Sequence, residues 1–253
     1  MNKILLALSV AILYQGCRSP LVYITNNIPI PLIERVGETQ MAGQYGTNGK
    51  SFNLVSSPLD YVSISIAGNY DNATVNSGIP DKKLENNNIH NYTEVAVGYY
   101  GVPSDSYIGE VFAGYGWGDG KDDYYEQNSS FLFGSNLVVH HDISYGKYEK
   151  YFLQANLGKK NNLFTTGFAL RLSYVNFYEL TKIHEEGATL PLNQRSPTFP
   201  SKKEALFFEP TFFAKISGKN VELEIEVMFP YTSKDIDFDY KSYLISTGLR
   251  FIF

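Results

Sequence analysis

The stretch "VELEIEVMF", residues 221–229, interleaves Glu222, Glu224 and Glu226 with Val221, Leu223, Ile225 and Val227. Successive side chains of a strand point to opposite faces, so acid and hydrocarbon separate cleanly on a strand and would mix on a helix. Two architectures can use such a strand. A soluble sandwich turns the glutamates to water and the aliphatics to its core. A membrane barrel does the reverse, with aliphatics to lipid and carboxylates to the lumen. In the barrel, arginine at position 225 should be damaging, whereas Glu224→Gln should cost much less.

Strand signals of this kind recur along the chain, and together they predict an all-β fold. They fall at residues 39–45, 50–56, 61–70, 92–102, 107–117, 146–157, 163–178, 204–215, 220–229 and 240–253. That is about ten strands, an even number as single-chain bacterial barrels require. "SSPLD" at 56–60, "PSDS" at 103–106, "GKKNN" at 158–162 and "SGKN" at 217–220 are short turns after every second strand. The alternate connections, 71–91, 118–145, 179–203 and 230–239, read as long polar loops; only "GTNG" at 46–49 is short. Short turns on one rim and long excursions on the other are the asymmetry of an antiparallel up-and-down transmembrane barrel. Both termini are expected on the short-turn side. The stretch "SSFLFGSNLVVHHDIS", 129–144, is too apolar for a solvated loop and leaves twelve strands open, as an extra hairpin or a piece folded into the mouth.

Alternate residues sort into two sets. Val95, Val97 and Tyr99 oppose Glu94, Ala96 and Gly98; Phe168, Leu170, Leu172 and Tyr174 oppose Gly167, Ala169, Arg171 and Ser173. Leu153, Ala155 and Leu157 oppose Gln154 and Asn156. The non-lipid set collects the expected lumen charges: Glu94, Glu110, Glu209, Glu222, Glu224 and Glu226 against Arg171, Lys215 and Arg250. Such charges either tune an open lumen or pair into a polar plug. Unpaired charge in a closed interior costs several kcal/mol.

Composition narrows the classes. The chain has 253 residues, enough for one large β domain, with 15% aromatics dominated by 20 Tyr and 17 Phe, which suits interfacial girdles. Mean hydropathy is -0.20. After residue 17 no run approaches the roughly 18 apolar residues of a spanning helix. A net charge of -5 without a basic stripe excludes nucleic acid as a partner. A single cysteine excludes an intrachain disulfide and a Cys-based zinc site. No cofactor or metal is implied.

The two ends carry the resemblance. The last eight residues, "STGLRFIF", place Ser246, Gly248, Phe251 and Phe253 in the pattern of polar residue, glycine, apolar residue and terminal aromatic. This resembles the C-terminal assembly signal of bacterial outer-membrane β-barrels. The resemblance implies an outer-membrane location, contact with outer-membrane lipids and recognition by the barrel-assembly machinery during biogenesis. At the other end "MNKILLALSVAILYQGC" has Lys3, an apolar run and Gly16-Cys17, and it resembles a lipoprotein signal peptide. Tyr14 and Gln15 depart from the usual lipobox. The reading gives residues 1–16 as signal peptide and Cys17 as the acylated N-terminus. Residues 17–38, with Pro29 and Pro31, form a tether, and 39–253 form the barrel. The start "NNIPIPLIERVGETQMAGQYGTNG" also resembles uncharacterised barrels of this class, with a Pro-containing tether before a Gly-rich first strand.

Chemistry is thinly signalled. His140, Asp142 and Ser144 in "HHDIS" share a face if extended and could activate water or a nucleophile. They resemble parts of outer-membrane protease and lipid A deacylase sites, but the further residues of those families have no match. "DGKDDYYEQN", 119–128, lacks calcium-loop spacing and reads as solvated. The catalytic set is therefore left empty. The first functional reading is a non-enzymatic barrel that stabilises the envelope, presents binding loops or forms a narrow, porin-like pore, its external ligand unspecified. The second is a soluble lipid-anchored barrel holding an apolar ligand, and the third a barrel hydrolase.

Overall fold

The computed structural model describes residues 22–79, 82–104, 106–128, 138–186, 201–233, 236, 238 and 240–253. They form β1 (Thr39–Gly46), β2 (Gly49–Leu59), β3 (Val62–Ile79), β4 (Lys82–Ser104), β5 (Tyr107–Asn128) and β6 (Val138–Lys160). The remainder are β7 (Phe164–Glu186), β8 (Glu204–Ser217), β9 (Val221–Met228), the two-residue β10 (Tyr231–Thr232) and β11 (Leu244–Ile252). Each strand from β1 to β8 pairs antiparallel with the next. β11 pairs with both β9 and β1 and so closes the ring. β10 resumes the line of β9 along β8 beyond Pro230, whose missing N–H interrupts the ladder. The wall is thus an antiparallel transmembrane barrel of ten strands. The stretch 138–144 belongs to β6 and pairs with β5, so twelve strands are not needed; residues 129–137 lie outside the described set.

The face assignment settles the opening question. Val221, Leu223 and Ile225 are 39%, 42% and 48% exposed, while Glu224 between them is 0% exposed. A sandwich would bury the aliphatics and expose the acids. The same outward band includes Val95, Val97 and Tyr99 on β4, Leu153 and Leu157 on β6, Leu172 and Tyr174 on β7, and Leu249 and Phe251 on β11. Aromatic residues collect at its two edges. Tyr61 stacks on Tyr99 near the short-turn rim, with ring centroids 5.8 Å apart, and Tyr115 meets Tyr151 at 5.0 Å toward the other rim. Such rings suit the headgroup level, where one end is apolar and the other wet.

Strand length departs from expectation. A membrane strand needs about 9–11 residues, and β9 and β11 have 8 and 9, but β4, β6 and β7 each have 23. Much of what read as the long loops 71–91, 118–145 and 179–203 is strand: β3 and β4 pair up to Ile79 and Lys82, and β5 and β6 up to Asn128 and Val138. Above the lipid belt a hydrophobic face no longer needs to oppose a polar one. The alternation that marks a membrane strand therefore disappears while the backbone ladder continues. The tall hairpins identify the outer rim, and the turns β2–β3, β4–β5, β6–β7 and β8–β9 the periplasmic rim. The C-terminus lies at the periplasmic rim, where Phe253 and Thr39 exchange backbone hydrogen bonds.

The belt assignment is checked at β9. Ile225→Arg should destabilise the folded barrel by about 2–4 kcal/mol, the range for arginine at the bilayer midplane. With a spin label at 225, lipid-dissolved oxygen should reach the probe and aqueous nickel reagents should not. If neither reagent reached position 225 while nickel reached a label at 224, Ile225 would belong to a protein core.

Candidate functional site

The segment expected to be an external tether lies inside the barrel. Val22, Tyr23, Ile28, Ile30 and Ile33 are all fully buried. Tyr23 sits toward the outer rim among Tyr148, Phe177, Phe207 and Phe238, with ring centroids 5.0 to 6.4 Å away. Ile28, Ile30 and Leu32 pack lower, with Ile108, Ala169, Phe213 and Met228. Ile33 reaches the periplasmic end beside Val55 and Tyr100. At about 3.3 Å per residue, the twelve residues 22–33 can span roughly 40 Å, more than the belt. This strap therefore runs the height of the lumen, and its Val22 end is at the outer rim. The expectation that both termini share the short-turn side fails for the strap. A Pro-containing segment without clean periodicity looked solvent-exposed, but a plug needs no strand pairing and so shows no strand period.

Local chemistry makes the strap fit. Extended backbone in a closed lumen must have its polar groups satisfied, and Pro29 and Pro31 bring no N–H to satisfy. Gln154 Nε2 donates to the Pro29 carbonyl at 2.7 Å, and Lys215 Nζ donates to the Ile30 carbonyl at 2.6 Å. Ile33 N–H donates to Glu110 Oε1 at 2.7 Å, and Asn156 Nδ2 holds the other carboxylate oxygen at 2.8 Å. Asn27 Nδ2 donates to Gln44 Oε1 at 3.0 Å and to Ser51 Oγ at 2.8 Å. At the lower end Leu32 adopts a left-handed φ of 59°, and its side chain fills the space over Gly158, where a Cβ would come within 2.5 Å of Leu32 Cδ1.

Room for the strap comes from glycines on the inward face. On β5, Gly114, Gly116, Gly118 and Gly120 alternate in "GYGWGDG", and their missing side chains are replaced by Phe152, Tyr92, Tyr148 and the Val22 carbonyl. Gly146 on β6 likewise lies under Val22 and Phe177. This i, i+2 glycine ladder was the sequence signal for a bed, and the expectation of a tether passed over it.

Around the strap the wall pairs its charges. Arg171 grips Glu94 with two bonds of 2.9 Å, donates to Gln154 Oε1 as a third partner and stacks on Phe152 at 4.0 Å. Lys150 meets Glu209 at 3.1 Å, and Lys215 meets Glu222 at 3.5 Å. Arg250 donates to Glu224 Oε2 at 2.8 and 3.0 Å and to Gln40 and Asn53. Gln44 Nε2 bridges Glu224 and Glu226 at 2.8 and 2.9 Å. Glu94, Glu110, Arg171, Glu209, Lys215, Glu222, Glu224, Glu226 and Arg250 are thus all buried on the inner face. Lys150, Gln40 and Gln44 belong with them, and parity with Gln154 was the only hint for Lys150. The pairing raises the cost expected at Glu224, since Gln there would remove the anion that Arg250 grips.

The remaining candidates separate. Ser246 and Gly248 face inward, Gly248 against Gln44, while Phe251 and Phe253 face outward. Gly16-Cys17 lies outside the described residues, as does the side chain of His140. Ser144 is buried, opposite Asp122 across β5 and β6, and Asp142 is half-buried. Among the described residues no cluster of His, Cys, Asp and Glu has the arrangement of a metal site.

No family model and no curated protein matches the chain. Among solved structures it is similar to the outer membrane protease OmpT from Escherichia coli, at 12% identity over 85% of this chain and 93% of that one, with a TM-score of 0.53. It is also similar to the translocator domain of the autotransporter NalP from Neisseria meningitidis, at 8% identity over 85% of each chain, with a TM-score of 0.46. The likeness to OmpT carries the fold alone. With the lipid belt, that fold is a transmembrane β-barrel.

The ion pairs give a test. Arg250→Met should cost about 3–5 kcal/mol, because it leaves Glu224 buried without its cation. Adding Glu224→Leu should recover much of the loss, since an apolar pair replaces the ion pair. Urea titration of the barrel in lipid, read by the mobility shift of unheated samples on SDS gels, gives both values; additive losses would show that the two side chains are not coupled.

Proposed function

We propose that this protein is a sealed outer-membrane barrel that holds its tall hairpins at the cell surface as a binding platform. The observation that carries the reading is the strap. Residues 22–33 occupy the lumen, hydrogen-bonded to the wall, with Ile236, Phe238 and Tyr240 packed around Tyr23 at the outer end. An ion path would have to displace backbone that Gln154, Lys215 and Glu110 hold in place. The platform is the extension of β3 to β7 above the belt, whose surface mixes Asn, Asp, Lys and Tyr and suits a polar partner. A hydrolytic role is the competing reading; the burial of Ser144 counts against it, and loss of a surface hydrolase activity in Ser144→Ala would favour it.

The proposed biogenesis follows from the last strand. Ser246, Gly248, Phe251 and Phe253 are the surface the barrel-assembly machinery would read, and Cys17 is the proposed acylation site. Deletion of Phe253 should lower the amount of heat-shifting barrel in the outer membrane several-fold. Wild-type amounts would make "STGLRFIF" an ordinary wall strand.

The sealed state is tested directly in planar bilayers. The full chain should leave the membrane silent, without unitary current steps. Steady conductance from intact, heat-shifting protein would overturn the platform reading in favour of a pore.

A further inference from the structure

We infer that the outward face beside the β1–β2 turn seats one anionic lipid, with its phosphate at Lys50 and an acyl chain in the hollow at Gly43. Strand register builds the upper part. Tyr45 on β1, Lys50 on β2 and Tyr70 on β3 are direct cross-strand partners, and all three are exposed on the outer face. The row therefore frames one ammonium between two phenol rings. It stands one outward step above Gly43, Phe52 and Gly68, at the top of the apolar belt. Tyrosine and lysine meet lipid headgroups at that level. Asn72 Nδ2 donates to the Tyr70 hydroxyl at 3.2 Å, so the phenol proton can be given to an anion. β2 starts at Gly49 while β3 continues to Ile79. The step between them opens a groove of about 640 Å³, lined by Tyr45, Thr47, Lys50, Tyr70, Asn72 and Thr74 among others.

Charge selects the headgroup. Among the described residues Lys50 has no carboxylate partner, and the outward side chains of β11, β1, β2 and β3 include no carboxylate. Asp71, at the foot of the groove, is buried on the inward face. Lys241 adds a second cation, its Nζ donating to the Thr47 carbonyl. Elsewhere on the outer surface lysines are already neutralised, Lys147 by Glu179 at 2.9 Å and Lys121 by Asp123 at 3.3 Å. In a chain of net charge -5 the turn is thus a local positive spot, and bonds from an ammonium to phosphate are among the strong ones. Shape then selects a lipid over free phosphate. Directly below Tyr45 the outward position on β1 is Gly43, where an added Cβ would meet nothing within 4 Å. Its cross-strand partners Leu249 and Phe52, and Met41 one outward step lower, are all exposed hydrocarbon or ring. The missing side chain leaves an apolar furrow running down from the tyrosine–lysine row. A molecule with phosphate above and hydrocarbon below fills both parts. The inference rests on the lipid belt, but not on the lumen being sealed.

The test offers the full chain, folded in a non-ionic detergent, equal amounts of phosphatidic acid and phosphatidylcholine with the same acyl chains. Retained lipid is counted by native mass spectrometry, and unheated gels verify that each variant is folded. The wild-type barrel should keep one phosphatidic acid, several-fold in preference to phosphatidylcholine. Lys50→Gln should abolish the preference, whereas Lys147→Gln, which removes a lysine already paired, should keep it. Gly43→Leu fills the furrow and should lower retention of phosphatidic acid several-fold with Lys50 intact. Excess inorganic phosphate should leave most of the lipid in place. Equal retention of the two lipids by the wild type, an undiminished preference in Lys50→Gln, or an equal loss in Lys147→Gln overturns the inference. Complete displacement by inorganic phosphate, or wild-type retention by Gly43→Leu, overturns it too, because the site would then hold an anion without its chains. Bilayer silence is measured separately, so a lipid seat on a conducting barrel would sink the sealed reading alone.

Discussion

A ring of ten strands encloses more space than the side chains of its own wall can fill. At eight strands the inward side chains just meet; here the ring is wider, and the glycine ladder on β5 widens it further. The strap from Val22 to Ile33 resolves this excess. Its aliphatic side chains supply packing at the lower end, and its Tyr23 anchors an aromatic cluster at the upper end. The glycines and the strap are complementary parts of one solution, since Gly114, Gly116, Gly118 and Gly120 on β5 mark places where a neighbouring ring or the strap backbone comes close to the wall.

Electrostatics follows from the same filling. With the lumen packed, the inward carboxylates have little water to meet, so each needs a protein partner. The wall supplies Lys150, Arg171, Lys215 and Arg250, and the strap supplies an N–H for Glu110. Lys215 joins the two systems, donating to a strap carbonyl while it sits near Glu222. The pairs also connect strands distant in sequence. Arg250 on β11 reaches Glu224 on β9, Gln40 on β1 and Asn53 on β2, which spans the seam where the first and last strands meet.

What could be read from the sequence was what the bilayer enforces. Ile225 beside Glu224 states both faces of the wall, because lipid on one side and a polar interior on the other demand strict alternation. Glu94, Arg171 and Arg250 were legible for the same reason. Residues such as Asn72, Asp123 and Lys182 escaped as strand because water on the outer face removes the apolar half of the pattern. The strap escaped because its backbone bonds go to side chains of the wall, so neither a helical nor a strand period survives. Lys150 was hidden by its isolation: the residues flanking it on β6, Glu149 and Tyr151, bracket it with no apolar alternation.

The buried strap has a topological consequence for how the molecule is made. Protein chains rarely thread through closed loops of themselves, yet here a linear segment passes through a ring shut by hydrogen bonds from β11 to both β1 and β9. Once that seam is shut, there is no lateral route into the lumen. The segment must then either be laid against the glycine bed while the sheet is still an open trough, or be pushed lengthwise through a finished cylinder whose charges are already paired. The first order lets the sheet curl around its own filling. Pairing of the last strand then latches the trough, and the molecule becomes a thread locked inside its own eyelet.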